Sequence, residues 1–222
     1  MSESTTLIAV AHGTRSPAGI RQIQELAAAV ARRRPGLDVR LCYVDVQEPK
    51  VAGIVPTCED AIVVPLLLSC GYHVRVDIAE AVAGTHFPVS APLGPDPVFT
   101  ESLRRNIPVT ADAIVLASAG SSDPLWVAGI REVAAQLPGR VELGYTSGGG
   151  PRVADVVAKL RAEGARRIAV AAYLLAEGLF YRTLHQAGAD WVTPPLCHDP
   201  AVADLVLRRF DAMRLTTVGS RL

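Results

Sequence analysis

Two histidines each follow a short apolar run. His12 stands in Val10-Ala11-His12-Gly13-Thr14-Arg15, and His73 closes Pro65-Leu66-Leu67-Leu68-Ser69-Cys70-Gly71-Tyr72-His73. Both runs read as buried strands, and a parallel α/β sheet gathers the C-terminal ends of its strands along one edge, where ligands bind. Two imidazoles on that edge point to a divalent-metal site. Glu48 ends the loop after a third run, Arg40-Leu41-Cys42-Tyr43-Val44, just ahead of Pro49. Two neutral imidazoles and a carboxylate suit Fe²⁺, Co²⁺ or Ni²⁺ and leave coordination positions open for a substrate. Two other roles stay open for Glu48: a base that takes protons from whatever the metal enters, or a carboxylate favoured by a helix N-terminus.

The elements that must hold these residues occur twice. Ile8-Ala9-Val10-Ala11-His12-Gly13 aligns with Val115-Leu116-Ala117-Ser118-Ala119-Gly120 at a spacing of 107 residues (13 to 120), and Pro17 falls on Pro124 at the same spacing. Tyr43 and Pro49 match Tyr145 and Pro151 at a spacing of 102 residues (43 to 145), and Gly71 and Arg75 match Gly178 and Arg182 at 107 again. Each half reads as strand, helix, strand, helix, strand, short helix, strand, helix, the alternation that builds a parallel sheet with helices on both faces. In the first helix Ile20, Ile23, Leu26, Ala27 and Val30 share one face, and Pro35-Gly36 ends it. The second helix is broken by Pro56 in the first half and uninterrupted over 153–163 in the second. The expected fold class is therefore α/β with internal duplication: an N-terminal lobe over 1–106 and a C-terminal lobe over 107–222, with a short crossing near 105–109 and a cleft between closely packed lobes.

The duplication acts as an internal control, because residues needed only for folding tend to recur. Gly13, Pro49, Gly71 and Arg75 recur, whereas His12 falls opposite Ala119, Glu48 opposite Gly150 and His73 opposite Phe180. The metal-capable residues are thus confined to the N-terminal lobe. His86, His185 and His198 sit in a loop, a short helix and a pre-helical stretch, with no ligand pattern around them.

With 22 basic and 22 acidic residues among 222, the chain has no net field to draw nucleic acid or an anionic membrane. No apolar stretch is as long as a membrane-spanning helix, and the first residues carry no signal-peptide pattern, so a cytoplasmic protein without membrane partners is expected. Cys42, Cys58, Cys70 and Cys197 form no C-x-x-C pair and read as reduced thiols; Cys70, three residues before His73, stands nearest the chemistry.

The stretch His12-Gly13-Thr14-Arg15, the run from Pro65 to His73 and the following Val74-Arg75-Val76-Asp77-Ile78, set in a duplicated α/β chain, resemble the class II tetrapyrrole chelatases, and most closely the sirohydrochlorin chelatase group. The resemblance runs from Leu7 to about Met213. It implies a bilobal chelatase fold, insertion of Fe²⁺ or Co²⁺ into a tetrapyrrole for sirohaem or cobalamin, metal binding at His12 and His73, and proton removal or metal delivery by Glu48. The metal is a substrate and no organic cofactor is implied. The many carboxylates of such a ring suit bidentate pairing with Arg15, Arg75, Arg182 and Arg152, and the amides of Ser147-Gly148-Gly149-Gly150 suit another. A metal or tetrapyrrole carrier without turnover, a ligand-sensing module and a phosphohistidine enzyme are the competing readings. The last of these usually wants an arginine before the histidine, and Ala11 stands there.

Overall fold

The computed structural model describes residues 5–69, 72–121 and 123–219, with side chains described through 5–69, 76–121 and 123–215. It divides into two compact units, one formed by residues up to Gly94 together with those from Pro200, the other by Pro95–Asp199. The repeat boundary expected near 105–109 and the boundaries of the compact units therefore differ. The last helix of each half, α4 (Pro97–Asn106) and α8 (Ala201–Gly219), is grouped with the other half's sheet.

In the first unit, β1 (Thr6–Ala11) lies between β2 (Val39–Tyr43) and β3 (Ala61–Pro65), all parallel. Ala11 is level with Tyr43, and Val10 with both Cys42 and Pro65, so the three strands end together. Burial on both faces explains the near-continuous apolar composition of β1 and β3. Ile8, Val10, Val63 and Cys42 pack with Val51, Val55, Ile78 and Phe87 on one face. Helices α1 (Pro17–Arg33) and α8 pack on each other and on β2 and β3 respectively. Ser16 caps α1 through its hydroxyl, Pro17 starts it, and Arg34 at its end holds both oxygens of Asp211 on α8 at 2.5 and 2.7 Å. That charge-assisted pairing keeps the Asp211 carboxyl below its ordinary pKa.

The second unit has a four-stranded parallel sheet in the order β5 (Val141–Tyr145), β4 (Ala113–Ser118), β6 (Ile168–Ala172), β7 (Trp191–Val192). Val115, Ala117, Val170 and Ala172 face α6 (Val153–Ala162) and α7 (Leu179–Leu184), while Ile130 and Val133 of α5 (Pro124–Gln136) are buried too.

Two expectations need correction. The fourth strand of the first half is reduced to one bridge, Val63 with Val89, because Pro88 and Pro92 flank that segment and supply no N–H donors. The apolar run before His73 is mostly loop. Strand β3 stops at Pro65, Leu66 N–H closes the ladder on Val10 C=O at 2.8 Å, and His73 follows within α3 (Tyr72–Ala81). The second helix of the first half shortens as Pro56 predicts, to α2 (Val51–Ile54) and a 3₁₀ turn over Val55–Thr57.

At the strand ends of the second sheet the hydroxyls of Ser118 and Tyr173 are buried without a hydrogen-bond partner among the described residues, at positions where the first half has Ala11 and Leu66. An unpaired buried hydroxyl is a net cost. Ser118→Ala is therefore expected to leave stability unchanged or raise it by up to about 1 kcal/mol in urea unfolding, whereas a loss of more than about 1 kcal/mol would reveal a buried partner for the hydroxyl.

Candidate metal centre

His12 is the first residue beyond β1 and is exposed. Its carbonyl accepts the N–H of Asp45 at 2.9 Å, and Ala11 C=O accepts that of Val44 at 2.9 Å, so the chain after β2 continues alongside the chain after β1. The two backbones approach closely at Gly13, whose φ is +101° and where a Cβ would lie 2.1 Å from the carbonyl oxygen of Asp45. Only glycine fits that crossing. Thr14 N–H donates to the side chain of Gln47 at 2.8 Å, and Gln47 also hydrogen-bonds the buried Tyr43, tying both loops to the end of β2.

Glu48 is exposed at the far end of this loop, and its Oε2 accepts the N–H of Lys50 at 2.9 Å ahead of α2. The helix-start reading is thereby realised at one oxygen, and no described partner engages Oε1. Tyr43 N–H donates to Pro49 C=O at 2.9 Å and brings the loop back to β2.

Sequence reasoning missed Asp45. The N–H of Val46, 2.7 Å from Asp45 Oδ1, holds its carboxyl below the ordinary carboxylate range, and Lys50, His12 and Arg15 push in the same direction. The available signal was its place two residues beyond β2, level with Gly13 and next to His12 beyond β1. Val46 itself adopts φ +66°, a left-handed conformation that is costly for a β-branched side chain.

His73 stands at the second position of α3, which follows β3, so His12, Glu48 and His73 derive from three adjacent parallel strands of one unit. The side chains of His73 and Arg75, together with Cys70 and Gly71, lie outside the described residues. Among the described residues no three His, Cys, Asp or Glu side chains form a metal-holding group. Arg15 is exposed beside Asp45; Arg152 and Arg182 are exposed in the second unit, at the start of α6 and within α7.

The other histidines have local roles. His86 lies 3.3 Å from Asp60, the ring of His185 packs edge-on against Tyr181 at 5.1 Å, and His198 ends a 3₁₀ turn. Cys42, Cys58 and Cys197 form no disulfide, and burial pushes the Cys42 thiol up to about 12, which leaves it unreactive at neutral pH. No described helix is long and apolar enough to cross a membrane.

Comparison with known proteins adds a family to this geometry. The CbiX family matches residues 6–109 and 113–213. A sirohydrochlorin cobaltochelatase of Methanococcoides burtonii is 28% identical over 85 residues, which is 36% of this chain and 65% of that protein. The chain thus spans about two thirds of the length of the curated relative it matches. Among solved structures, SirB from Bacillus subtilis with Fe³⁺ superposes with a TM-score of 0.79 at 17% identity, covering 97% of this chain and 98% of that one. The sirohydrochlorin chelatase SirB from Bacillus subtilis subspecies spizizenii in complex with cobalt gives 0.73 at 17% identity, covering 94% of each chain. At these identities the likeness is one of fold, and it bears out the expected two-lobed chelatase architecture.

Gly13→Ala would force a methyl group into the backbone of Asp45 and a side chain into the left-handed region. It is expected to cost at least about 2 kcal/mol in chemical denaturation and to abolish Co²⁺ binding. Wild-type stability and Co²⁺ affinity in this variant would mean that the crossing does not organise the site.

Proposed function

This chain belongs to the CbiX family, and on that footing we propose that it inserts a divalent metal, Fe²⁺ or Co²⁺, into a sirohydrochlorin-type tetrapyrrole. The observation that supports the reading is that His12, Glu48 and His73 lie in the segments that follow three adjacent strands, β1, β2 and β3, of the first unit, while the repeat has Ala119, Gly150 and Phe180 at the equivalent positions.

In this reading neutral His12 and His73 take the ion from water and leave the rest of its coordination sphere for the ring nitrogens. Insertion exchanges one M²⁺ for two pyrrole N–H protons, without redox change or covalent intermediate. Glu48, with Oε1 free of described partners, takes one of those protons and the other passes to solvent water. Asp45, held ionised by the Val46 N–H, adds negative charge beside His12 where the hydrated cation arrives. Arg15 pairs with a ring carboxylate in the first unit, Arg182 does so in the second, and Arg75 follows β3 in the same role.

The test is the anaerobic absorbance change of sirohydrochlorin mixed with Co²⁺ or Fe²⁺. Wild type is expected to accelerate metallation, His12→Ala and His73→Ala to lose at least about a hundredfold of that acceleration, and Glu48→Gln to lose about tenfold or more. Stoichiometric binding of ring or metal without acceleration would make the protein a carrier instead.

A further inference from the structure

The second unit carries, at the strand-end edge equivalent to the metal edge, an aromatic surface in place of metal ligands. By the repeat, Ala119 replaces His12, Gly150 replaces Glu48 and Phe180 replaces His73. Tyr145 ends β5 as Tyr43 ends β2, yet the two rings differ in position. Tyr43 is buried against its own loop and bonded to Gln47. Tyr145 is half-buried, its ring lies directly over Gly150, and the ring of Trp126 at the start of α5 is tilted against it with centroids 6.0 Å apart.

Gly150 makes that arrangement possible. A Cβ there would stand 2.2 and 2.4 Å from Cδ2 and Cε2 of the Tyr145 ring, and its φ lies outside the left-handed region, so the requirement for glycine is the ring and not the backbone. Leu125, next to Trp126, is 83% exposed. A half-buried aromatic pair beside an exposed leucine offers a partly open apolar surface that suits a flat apolar face. Arg152, exposed and bridged to Tyr145 through the backbone, forms no ion pair among the described residues. An apolar plane bordered by a guanidinium that forms no ion pair among the described residues complements a planar macrocycle with anionic substituents.

We infer that Trp126 and Tyr145, with Gly150 as the positioning residue, form the platform on which the flat face of the tetrapyrrole rests, and that Arg152 pairs with one of its peripheral carboxylates. The inference rests on the chelatase reading.

Metal-free sirohydrochlorin titrated into the full-length protein provides the test, followed by metallation with Co²⁺. Trp126→Ala and Tyr145→Ala are expected to weaken ring binding about tenfold and to raise the sirohydrochlorin KM to match, while kcat and the KM for Co²⁺ stay within twofold. Gly150→Ala, which displaces the Tyr145 ring, is expected to weaken binding in the wild-type background and to have no further effect in Tyr145→Ala, a coupling that general destabilisation would not produce. Trp126→Leu and Tyr145→Phe serve as milder variants should the alanine variants misfold. His12→Ala is expected to bind the ring normally. Ring binding unchanged in every platform variant would overturn the platform and leave the chelatase reading intact. A wild-type protein that neither binds nor metallates the ring would overturn both.

Discussion

The close passage of Gly13 over the carbonyl of Asp45 is the constraint on which the rest of the first unit's site depends. It is made by two parallel strands ending level with each other, and by loops that must cross within van der Waals distance. From it follow the His12 carbonyl bound to the Asp45 N–H, the side chain of Gln47 on Thr14, and Glu48 at the start of α2. An exposed imidazole is thereby attached to a backbone that has little freedom to move. Preorganisation of this kind is what an enzyme needs when its only tasks are to receive an ion and release it in the right place.

The second unit repeats the crossing without counterparts of His12, Glu48 and His73. Gly120 adopts φ +92°, and a Cβ there would lie 2.3 Å from the carbonyl of Ser147. The left-handed position that follows is Gly148 in the second unit and Val46 in the first, with φ of +78° and +66°. A β-branched residue in that region costs about 1–2 kcal/mol, and the first unit tolerates it where the N–H of Val46 is bound to the Asp45 carboxylate. Local strain therefore coincides with the half that holds the candidate ligands, as functional loops commonly show.

Much of this was legible in the sequence, for identifiable reasons. The duplication, the three parallel strands behind His12, Glu48 and His73, and the helix broken at Pro56 all follow from apolar periodicity and from what proline forbids. Asp45 was not legible, since its interest arises from the level endings of β1 and β2 and from a loop that bends back on itself. Nor was the length of β3: the run Leu66-Leu67-Leu68 is apolar because it is buried or half-buried beneath neighbouring segments, whereas Pro65 ends the strand. The grouping of α4 and α8 with the opposite sheets was likewise hidden, because amphipathic faces indicate that a helix packs without indicating on which sheet.

The central claim is that one unit of a duplicated fold binds the metal and the other does not. Anaerobic Co²⁺ titration followed by the visible absorption of the bound ion tests it most directly. The account predicts one Co²⁺ per chain with nitrogen-ligand spectra, lost in His12→Ala and unaffected by Trp126→Ala. Two equivalents per chain, or one that persists in His12→Ala, would contradict it.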